Sequence, residues 1–229
     1  MLGPTQLQAG QAMPSGLAVV HADDALLVLD KPSGLLAVPG RGEDKQDALS
    51  TRVQQRYPDA LIVHRLDMAT SGLMLMARGL AAQRRLSQCF AAREVHKRYV
   101  ALVAGQLVPP AASVDGWSVI DLPIIVDWPR RPRRIIDAAR GQPSLTRWRV
   151  LPGEPGANRT RLELEPVTGR SHQLRVHLRA IGHPILGDAL YADAPAQARA
   201  SRLLLHACAL RLPHPVTGDM LRFESPAPF

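Results

Sequence analysis

The residues best suited to chemistry lie in the stretch VHRLDMATSG, residues 63–72. It places the carboxylate of Asp67 two residues after Arg65, in a polar patch between the apolar runs ALIV (60–63) and GLMLMAR (72–78). A carboxylate held there can act as a nucleophile or as a proton acceptor. Because each run is short, apolar and flanked by turn-forming residues, both predict buried strands. The patch is then a connection between strands over a core.

A second stretch with unusual charge content is PVTGRSHQLRVHLRAIGHPILGD, residues 166–188. Leu174 and Leu178 share one face of a predicted helix, which Gly182 is placed to end. Arg175 falls at the border of that apolar face, about 100° round the helix from Leu174. A guanidinium in such a position is costly to desolvate unless an anion meets it.

Asp67 is a carboxylate with the converse need for a cation. If Asp67 and Arg175 pair, the opposite charge of the guanidinium holds the carboxylate ionised and poised to react. The two side chains then form the centre of one candidate site.

The chain resembles the RluA family of RNA pseudouridine synthases in several motifs that occur in the family's order. The matching stretches are HRLDMATSGL, KRYVALV, TGRSHQLRVH, HPILGD and LLLHA. The match runs from about Val19 to Phe223. The segment DLPIIVDWPRRP (121–132) further resembles the short type within that family, which has no amino-terminal RNA-binding domain.

The resemblance implies isomerisation of uridine to pseudouridine within an RNA, without metal or cofactor. It makes Asp67 the catalytic aspartate, Tyr99 the active-site tyrosine and Arg175 the partner of the aspartate. Arg65 matches the arginine that takes the place of the flipped base, which reduces the cost of extrusion. The short type implies uridines in small hairpin loops, one in 23S rRNA and one in the tRNA anticodon stem-loop.

Tyr99 fits this role because it lies two residues after Lys97 on an alternating strand, so both side chains project to one face. The ring can stack on uracil and the hydroxyl can help to remove the C5 proton. The sequence leaves open whether Asp67 attacks the sugar or the base, or instead removes a proton from C2′.

The predicted RNA contacts are mostly cations, in keeping with a net charge of +8. They are His64, Arg65, Lys97, Arg170, Arg130, Arg131, Arg133 and Arg134. Pro129 and Pro132 exclude a plain helix through the last four and predict an extended arm that offers arginines to phosphates. The alternative for this run is a solvated charged loop.

The expected fold is α+β, with residues 17–229 as one catalytic domain and residues 1–16 as a flexible arm. The pseudouridine synthase fold implied by the resemblance has a mixed, mostly antiparallel sheet, a central cleft and flanking helices. Asp47 is predicted to cap a helix that begins near Leu49, and a second helix is predicted over about 80–93.

Other function classes remain open at this point. A non-catalytic RNA-binding or ribosome-assembly factor would have the same basic charge. A nucleoside or glycoside hydrolase would need a second carboxylate near Asp67, which VHRLDMATSG does not offer.

The protein is predicted to be a cytoplasmic monomer that binds RNA. No apolar run approaches the ~20 residues of a membrane span. Cys89 and Cys208 form no CxxC pair, and His172 and His177 are five apart and share no helical face, so no metal site is predicted.

Overall fold

The structure is a computed structural model that describes residues 17–111, 115–152 and 158–229. The described chain forms two compact units, where the sequence analysis predicts one domain. The first unit contains residues 17–97 and 207–228, and the second contains residues 98–206 with Phe229. The predicted arm, residues 1–16, lies outside the described residues.

Six strands contribute to the sheet of the first unit. They are β1 (Ala18–Ala22), β2 (Leu26–Lys31), β3 (Ala60–Ile62), β4 (Ser71–Arg78), β11 (Leu205–Pro213, in this unit from Ala207 on) and β12 (Met220–Glu224). The order is β1-β2-β4-β11, with β3 also paired to β4 and β12 to β11. The pairs of β1 with β2, β2 with β4, β3 with β4 and β11 with β12 are antiparallel.

The core of the first unit surrounds β2 and β4. Residues 26–29 and 73–77 are completely buried, which explains why both strands read as unbroken apolar runs rather than alternating ones. Helix α2 (Gly79–Ala91), predicted over about 80–93, packs Leu86 and Cys89 into this cluster. The prediction of a buried strand in GLMLMAR is confirmed.

Helix α1 (Leu49–Gln54) begins where the sequence predicts, but its predicted cap is wrong. Ala48 occupies the cap position, and Asp47 instead receives hydrogen bonds of 2.7 Å from Nε and from Nη2 of Arg52. A carboxylate one residue outside the cap is better placed for a side-chain cation in the helix than for the first backbone N–H groups. A short 3-10 helix, Glu43–Lys45, precedes α1.

The second unit has a four-stranded sheet, a separate hairpin and short helices. Its elements are β5 (His96–Ala104, in this unit from Arg98 on), β6 (Ser118–Asp121), β7 (Ile124–Val126), β8 (Arg134–Ile136), β9 (Leu145–Val150), β10 (Arg159–Pro166), α3 (Gln173–Ala180) and α4 (Ala194–Gln197). The sheet order is β5-β10-β9-β6, antiparallel throughout, and β7 pairs with β8. The α+β class with a mostly antiparallel sheet is confirmed, while the central cleft stays a prediction.

Helix α3 ends as its sequence predicts. Gly182 has a φ of +87°, a left-handed conformation that glycine adopts without strain. The N–H of His183 donates to the carbonyl of Leu178 (2.9 Å), and the N–H of Gly182 donates to that of Arg179 (3.0 Å). These two hydrogen bonds satisfy the last carbonyls of the helix.

None of the helices in the described ranges is both long and apolar enough to cross a membrane.

We expect Gly72→Ala to destabilise the first unit strongly. Gly72 has a φ of +109°, and an added Cβ would lie 2.3 Å from the carbonyl oxygen of Ala207. Backbone strain and overlap together should lower the free energy of unfolding by roughly 2–4 kcal/mol. Gly218→Ala is the matched control, because Gly218 has a φ of +79° but nothing within 4 Å of the added Cβ. Urea unfolding of both variants is the measurement, and equal losses would contradict the role of the close approach.

Candidate functional site

The loop that carries Asp67 joins β3 to β4 and is fixed by the segment that follows β2. Gly34 donates its N–H to the carbonyl of Met68 (2.8 Å), and Ser33 donates its hydroxyl to the carbonyl of Ala69 (2.7 Å). Asp67 itself is partly exposed. The backbone directly after the carboxylate is therefore held in place while the side chain keeps access to solvent.

Lys31 lies beneath this loop and is fully buried. Its ammonium donates to the carbonyls of Pro32 (2.9 Å), Leu35 (2.8 Å) and Met68 (3.0 Å). Burial lowers the pKa of Lys31 to about 8, and the opposite charge of Asp67 acts against that shift. The buried ammonium thus links the segment after β2 to the Asp67 loop and places a positive charge near the carboxylate.

Lys31 was not predicted as a site residue from the sequence. In LLVLDKPSG the lysine follows a buried strand and precedes a turn, and a lysine at that position usually reaches solvent. The turn after β2 could have indicated it, because the backbone carbonyls of a turn have no strand partner and need a hydrogen-bond donor such as a lysine ammonium.

His64, predicted to contact RNA, has a structural role in the first unit. Its Nε2 accepts a hydrogen bond from the N–H of Leu75 (2.9 Å), and its ring lies 4.9 Å from that of Phe90. Burial, with a smaller contribution from the charge of Lys97, lowers the pKa of His64 to about 3. The imidazole is therefore a neutral acceptor at physiological pH, and an RNA contact by His64 stays a prediction.

Two other predicted cations of the first unit are available for an anion. Arg65 is exposed, and Lys97 is half-buried with its Nζ 5.8 Å from the ring centroid of Phe90. Neither side chain forms a hydrogen bond or an ion pair with the described part of the chain. Burial also lowers the pKa of Lys97, because a desolvated ammonium without a counter-ion is destabilised.

Arg175 meets its predicted need for an anion within the second unit. The guanidinium is buried, and it donates to Asp188 through Nε to Oδ2 (2.8 Å) and through Nη2 to Oδ1 (2.7 Å). Asp188, also buried, belongs to the HPILGD motif, but the sequence analysis gave it no role. A pair between Arg175 and Asp67 involves one residue from each unit and stays a prediction.

Tyr191 connects this ion pair to the arginine-rich segment. Its ring lies under the guanidinium of Arg175, at 5.1 Å from Cζ to the centroid. Its hydroxyl accepts a hydrogen bond from the backbone N–H of Arg134 (2.8 Å) and shares another with Nδ1 of His172 (2.6 Å). One buried tyrosine therefore fixes the start of β8 relative to helix α3.

The arginine-rich segment is a β-hairpin rather than the predicted extended arm. β7 and β8 pair, and the N–H of Asp127 donates to the carbonyl of Arg133 (3.1 Å) at the base of the tip. Residues 128–130 form a 3-10 turn. Pro129 and Pro132 lack the N–H that a strand ladder requires, so they stay at the tip and let the flanking residues pair.

The four hairpin arginines differ in their surroundings. Arg130 and Arg131 are exposed at the tip, whereas Arg133 and Arg134 are half-buried. Nε of Arg130 lies 2.7 Å from Oδ2 of the buried Asp127, so its charge is partly compensated within the hairpin.

The last two predicted site residues, Tyr99 and Arg170, both lie in the second unit. Tyr99 is buried in β5 opposite Leu164 of β10. Arg170 is exposed, and its backbone N–H donates to Oε1 of Gln173 (3.0 Å), which also accepts from Thr168 (2.7 Å). Gln173 was missed by the sequence analysis, although it holds the turn that presents Arg170.

The fold and the family match identify an RNA pseudouridine synthase. Residues 25–180, more than half of the chain, match the RNA pseudouridylate synthase family. The chain belongs to that family, and the family and enzyme class predicted from the motifs are confirmed.

Curated relatives show that the similarity extends over almost the whole chain. The dual-specificity RNA pseudouridine synthase RluA of Escherichia coli (strain K12) is 48% identical over 214 residues, which cover 93% of this chain and 94% of the relative. The protein of the same name from Pasteurella multocida (strain Pm70) is 47% identical over 213 residues, with coverages of 93% and 94%.

Solved structures agree with the family assignment. Human RNA pseudouridylate synthase domain containing 1 superimposes with a TM-score of 0.75 and 30% identity, covering 97% of this chain and 87% of that chain. For human RNA pseudouridylate synthase domain containing 4 the TM-score is 0.70 at 27% identity, with coverages of 92% and 88%.

We expect Lys31→Met to destabilise the protein by roughly 2–5 kcal/mol, since it leaves buried carbonyls without a donor. The effect should depend on pH. The folded pKa is about 8 against an ordinary 10.5, so the unfolded chain binds more protons between these values. The wild type should therefore gain stability relative to the variant as pH rises from 8 to 10.5, by at most roughly 1.4 kcal/mol per pH unit.

Urea unfolding of both proteins across this pH range is the measurement for Lys31. Lys45→Met is the control, because Lys45 is exposed and its substitution should change stability by less than about 0.5 kcal/mol at any pH. A pH-independent difference for Lys31→Met would contradict the buried, charged ammonium.

We expect Asp188→Asn to lower the free energy of unfolding by roughly 3–5 kcal/mol, because it leaves the buried guanidinium of Arg175 without its carboxylate. Adding Arg175→Met to that variant should recover part of the loss, since it removes the buried guanidinium that has lost this carboxylate. Thermal or urea unfolding of Asp188→Asn, Arg175→Met and the double variant gives a double-mutant cycle that measures the coupling between the two residues. Additive losses would mean that the pair is not the source of the effect.

Proposed function

We propose that this enzyme isomerises specific uridines to pseudouridine in hairpin loops of 23S rRNA and of the tRNA anticodon stem-loop, with Asp67 as the catalytic residue. The observation that carries the proposal is the held Asp67 loop, in which a partly exposed carboxylate lies near the buried ammonium of Lys31. A carboxylate on a fixed backbone, with a cation nearby, needs little reorganisation to react.

The reaction requires one glycosidic bond to break and another to form. The N1–C1′ bond of uridine breaks, the base turns, C5 bonds to C1′, and the C5 proton leaves while N1 gains one. Asp67 can take part as a nucleophile at C1′ or at the base, or as the base that removes a proton from C2′. In each route the carboxylate acts in its ionised form.

The other motif residues complete the proposed site. Tyr99 stacks on the uracil and assists removal of the C5 proton. Arg175 pairs with Asp67, and Arg65 fills the space that the flipped base leaves. The exposure of Arg65, and its lack of a hydrogen bond or ion pair in the described chain, support a role that needs a mobile, uncommitted guanidinium.

The substrate proposal rests on the basic charge and on the relatives. The chain has 28 Lys and Arg against 20 Asp and Glu, which suits a polyanion. The curated relatives bear the words dual-specificity in their names, which supports more than one RNA substrate for this enzyme. Loop uridines suit base flipping because they are already partly unstacked.

We place the enzyme in the cytoplasm as a monomer.

Asp67→Asn should abolish isomerisation but leave RNA affinity within a few-fold, since the carboxylate is lost and the phosphate contacts are kept. The assay is tritium release from an anticodon stem-loop RNA labelled at uridine C5, together with filter binding of the same RNA. Asp24→Asn is the control, because Asp24 is fully exposed and distant in sequence from the motifs. Residual turnover above about 1% of wild type would reject Asp67 as the catalytic group.

The same assay separates the alternative functions. Isomerisation releases tritium while the base stays in the chain, hydrolysis frees uracil, and an RNA-binding factor does neither. A duplex in which the labelled uridine is paired should react far more slowly than the stem-loop, because extrusion must also break a base pair. Equal rates on the duplex would reject the hairpin-loop target.

A further inference from the structure

Among the Trp, Tyr and Phe side chains, only Trp128 is exposed, and it lies at the tip of the hairpin formed by β7 and β8, here called the arginine hairpin. The chain has three Trp, three Tyr and three Phe, all of them in described ranges. Trp128 is 65% exposed, whereas Trp117 and Trp148 are buried. An exposed indole is unusual on a charged loop, because indole is a large apolar group that packing normally covers.

Arg131 supports the exposed indole. Its Cζ lies 4.6 Å from the centroid of the Trp128 ring, within range of a cation–π interaction. Its Nε also donates to the carbonyl of Trp128 (3.2 Å). The guanidinium therefore forms a layer against the ring and restricts it, while most of the indole surface remains accessible.

The tip is held before any partner binds. Successive hydrogen bonds join the N–H of Arg130 to the carbonyl of Asp127 (3.1 Å) and the N–H of Arg133 to that of Arg130 (3.0 Å). Tyr191 fixes the next backbone N–H, that of Arg134 (2.8 Å). A held aromatic group loses little conformational entropy when it stacks on a ligand.

We propose that Trp128, with Arg131 behind it, is a stacking platform for one unpaired base of the substrate RNA. This inference rests on the proposed function and adds a contact outside the catalytic motifs. RNA is favoured over a protein partner because the exposed ring is surrounded by arginines, which would meet phosphates beside a stacked base. A ring stacked on a base also explains why an apolar group is placed where only cations are needed for phosphate binding.

The first test is RNA affinity. The probes are a synthetic anticodon stem-loop RNA and a blunt duplex with no unpaired base. Trp128→Leu should weaken binding of the stem-loop roughly five-fold to a hundred-fold, the usual range for loss of one base–aromatic stack. Binding of the duplex and the salt dependence of both affinities should not change, because no phosphate contact is removed. Trp128→Phe should restore most of the affinity.

The matched control is Val216→Ala, which shortens another exposed apolar side chain, 75% exposed, and should leave binding unchanged. Thermal unfolding checks that each variant is folded, as expected for substitutions of exposed side chains.

The second test is tryptophan fluorescence. Addition of the stem-loop should quench the emission of Trp128 by stacking, and this quenching should be absent in Trp128→Phe, whose remaining tryptophans are buried.

Stem-loop affinity of Trp128→Leu equal to wild type would overturn the platform. An equal loss on the duplex would also overturn it, since that result indicates damage to the arginine contacts.

The two proposals fail separately. If wild-type protein binds the stem-loop with Trp128 quenching but releases no tritium, the platform is supported and the proposed function is rejected. If tritium is released and Trp128→Leu binds and reacts as wild type, the function stands and the platform is rejected.

Discussion

The buried ion pair between Arg175 and Asp188 is the interaction on which the second unit's candidate site depends. A guanidinium that has left water needs an anion of matching geometry, and Asp188 supplies two hydrogen bonds to it. The same carboxylate accepts the backbone N–H groups of Leu190 (2.9 Å) and Tyr191 (3.2 Å). Tyr191 in turn holds the arginine hairpin through Arg134, so one charge pair positions both a motif helix and a candidate RNA contact.

In the first unit a buried cation is instead stabilised by backbone carbonyl oxygen atoms. Lys31 carries a buried positive charge that three carbonyls surround, and one of these, from Met68, belongs to the loop of Asp67. In both units a buried cation joins separate segments of the chain. As a result, Asp67, proposed as the catalytic residue, lies on a loop whose backbone is held, which is what electrostatic preorganisation requires.

The distribution of arginines shows that net charge overstates the surface available to RNA. On the second unit's sheet, Arg98 lies 3.3 Å from Glu163, and Arg147 lies 3.0 Å from Glu165. Arg98 and Arg147 also lie over the ring of Trp117, at 4.5 Å and 5.0 Å. These cations are compensated within the fold. The side chains of Arg65 and Lys97 in the first unit have no such compensation in the described chain. The location of a cation therefore says more about its availability to RNA than the net charge does.

The sequence by itself determined the family, the buried strand in GLMLMAR, the helix α2 and the end of α3 at Gly182, because each is set by local periodicity or by motif identity. It also determined that Arg175 needs an anion. Only the tertiary structure decided that Asp188 provides one, that Lys31 is buried, that His64 is a neutral acceptor and that Trp128 is exposed. A side chain's burial and partners depend on which distant segments meet around it, and local sequence patterns do not contain that information.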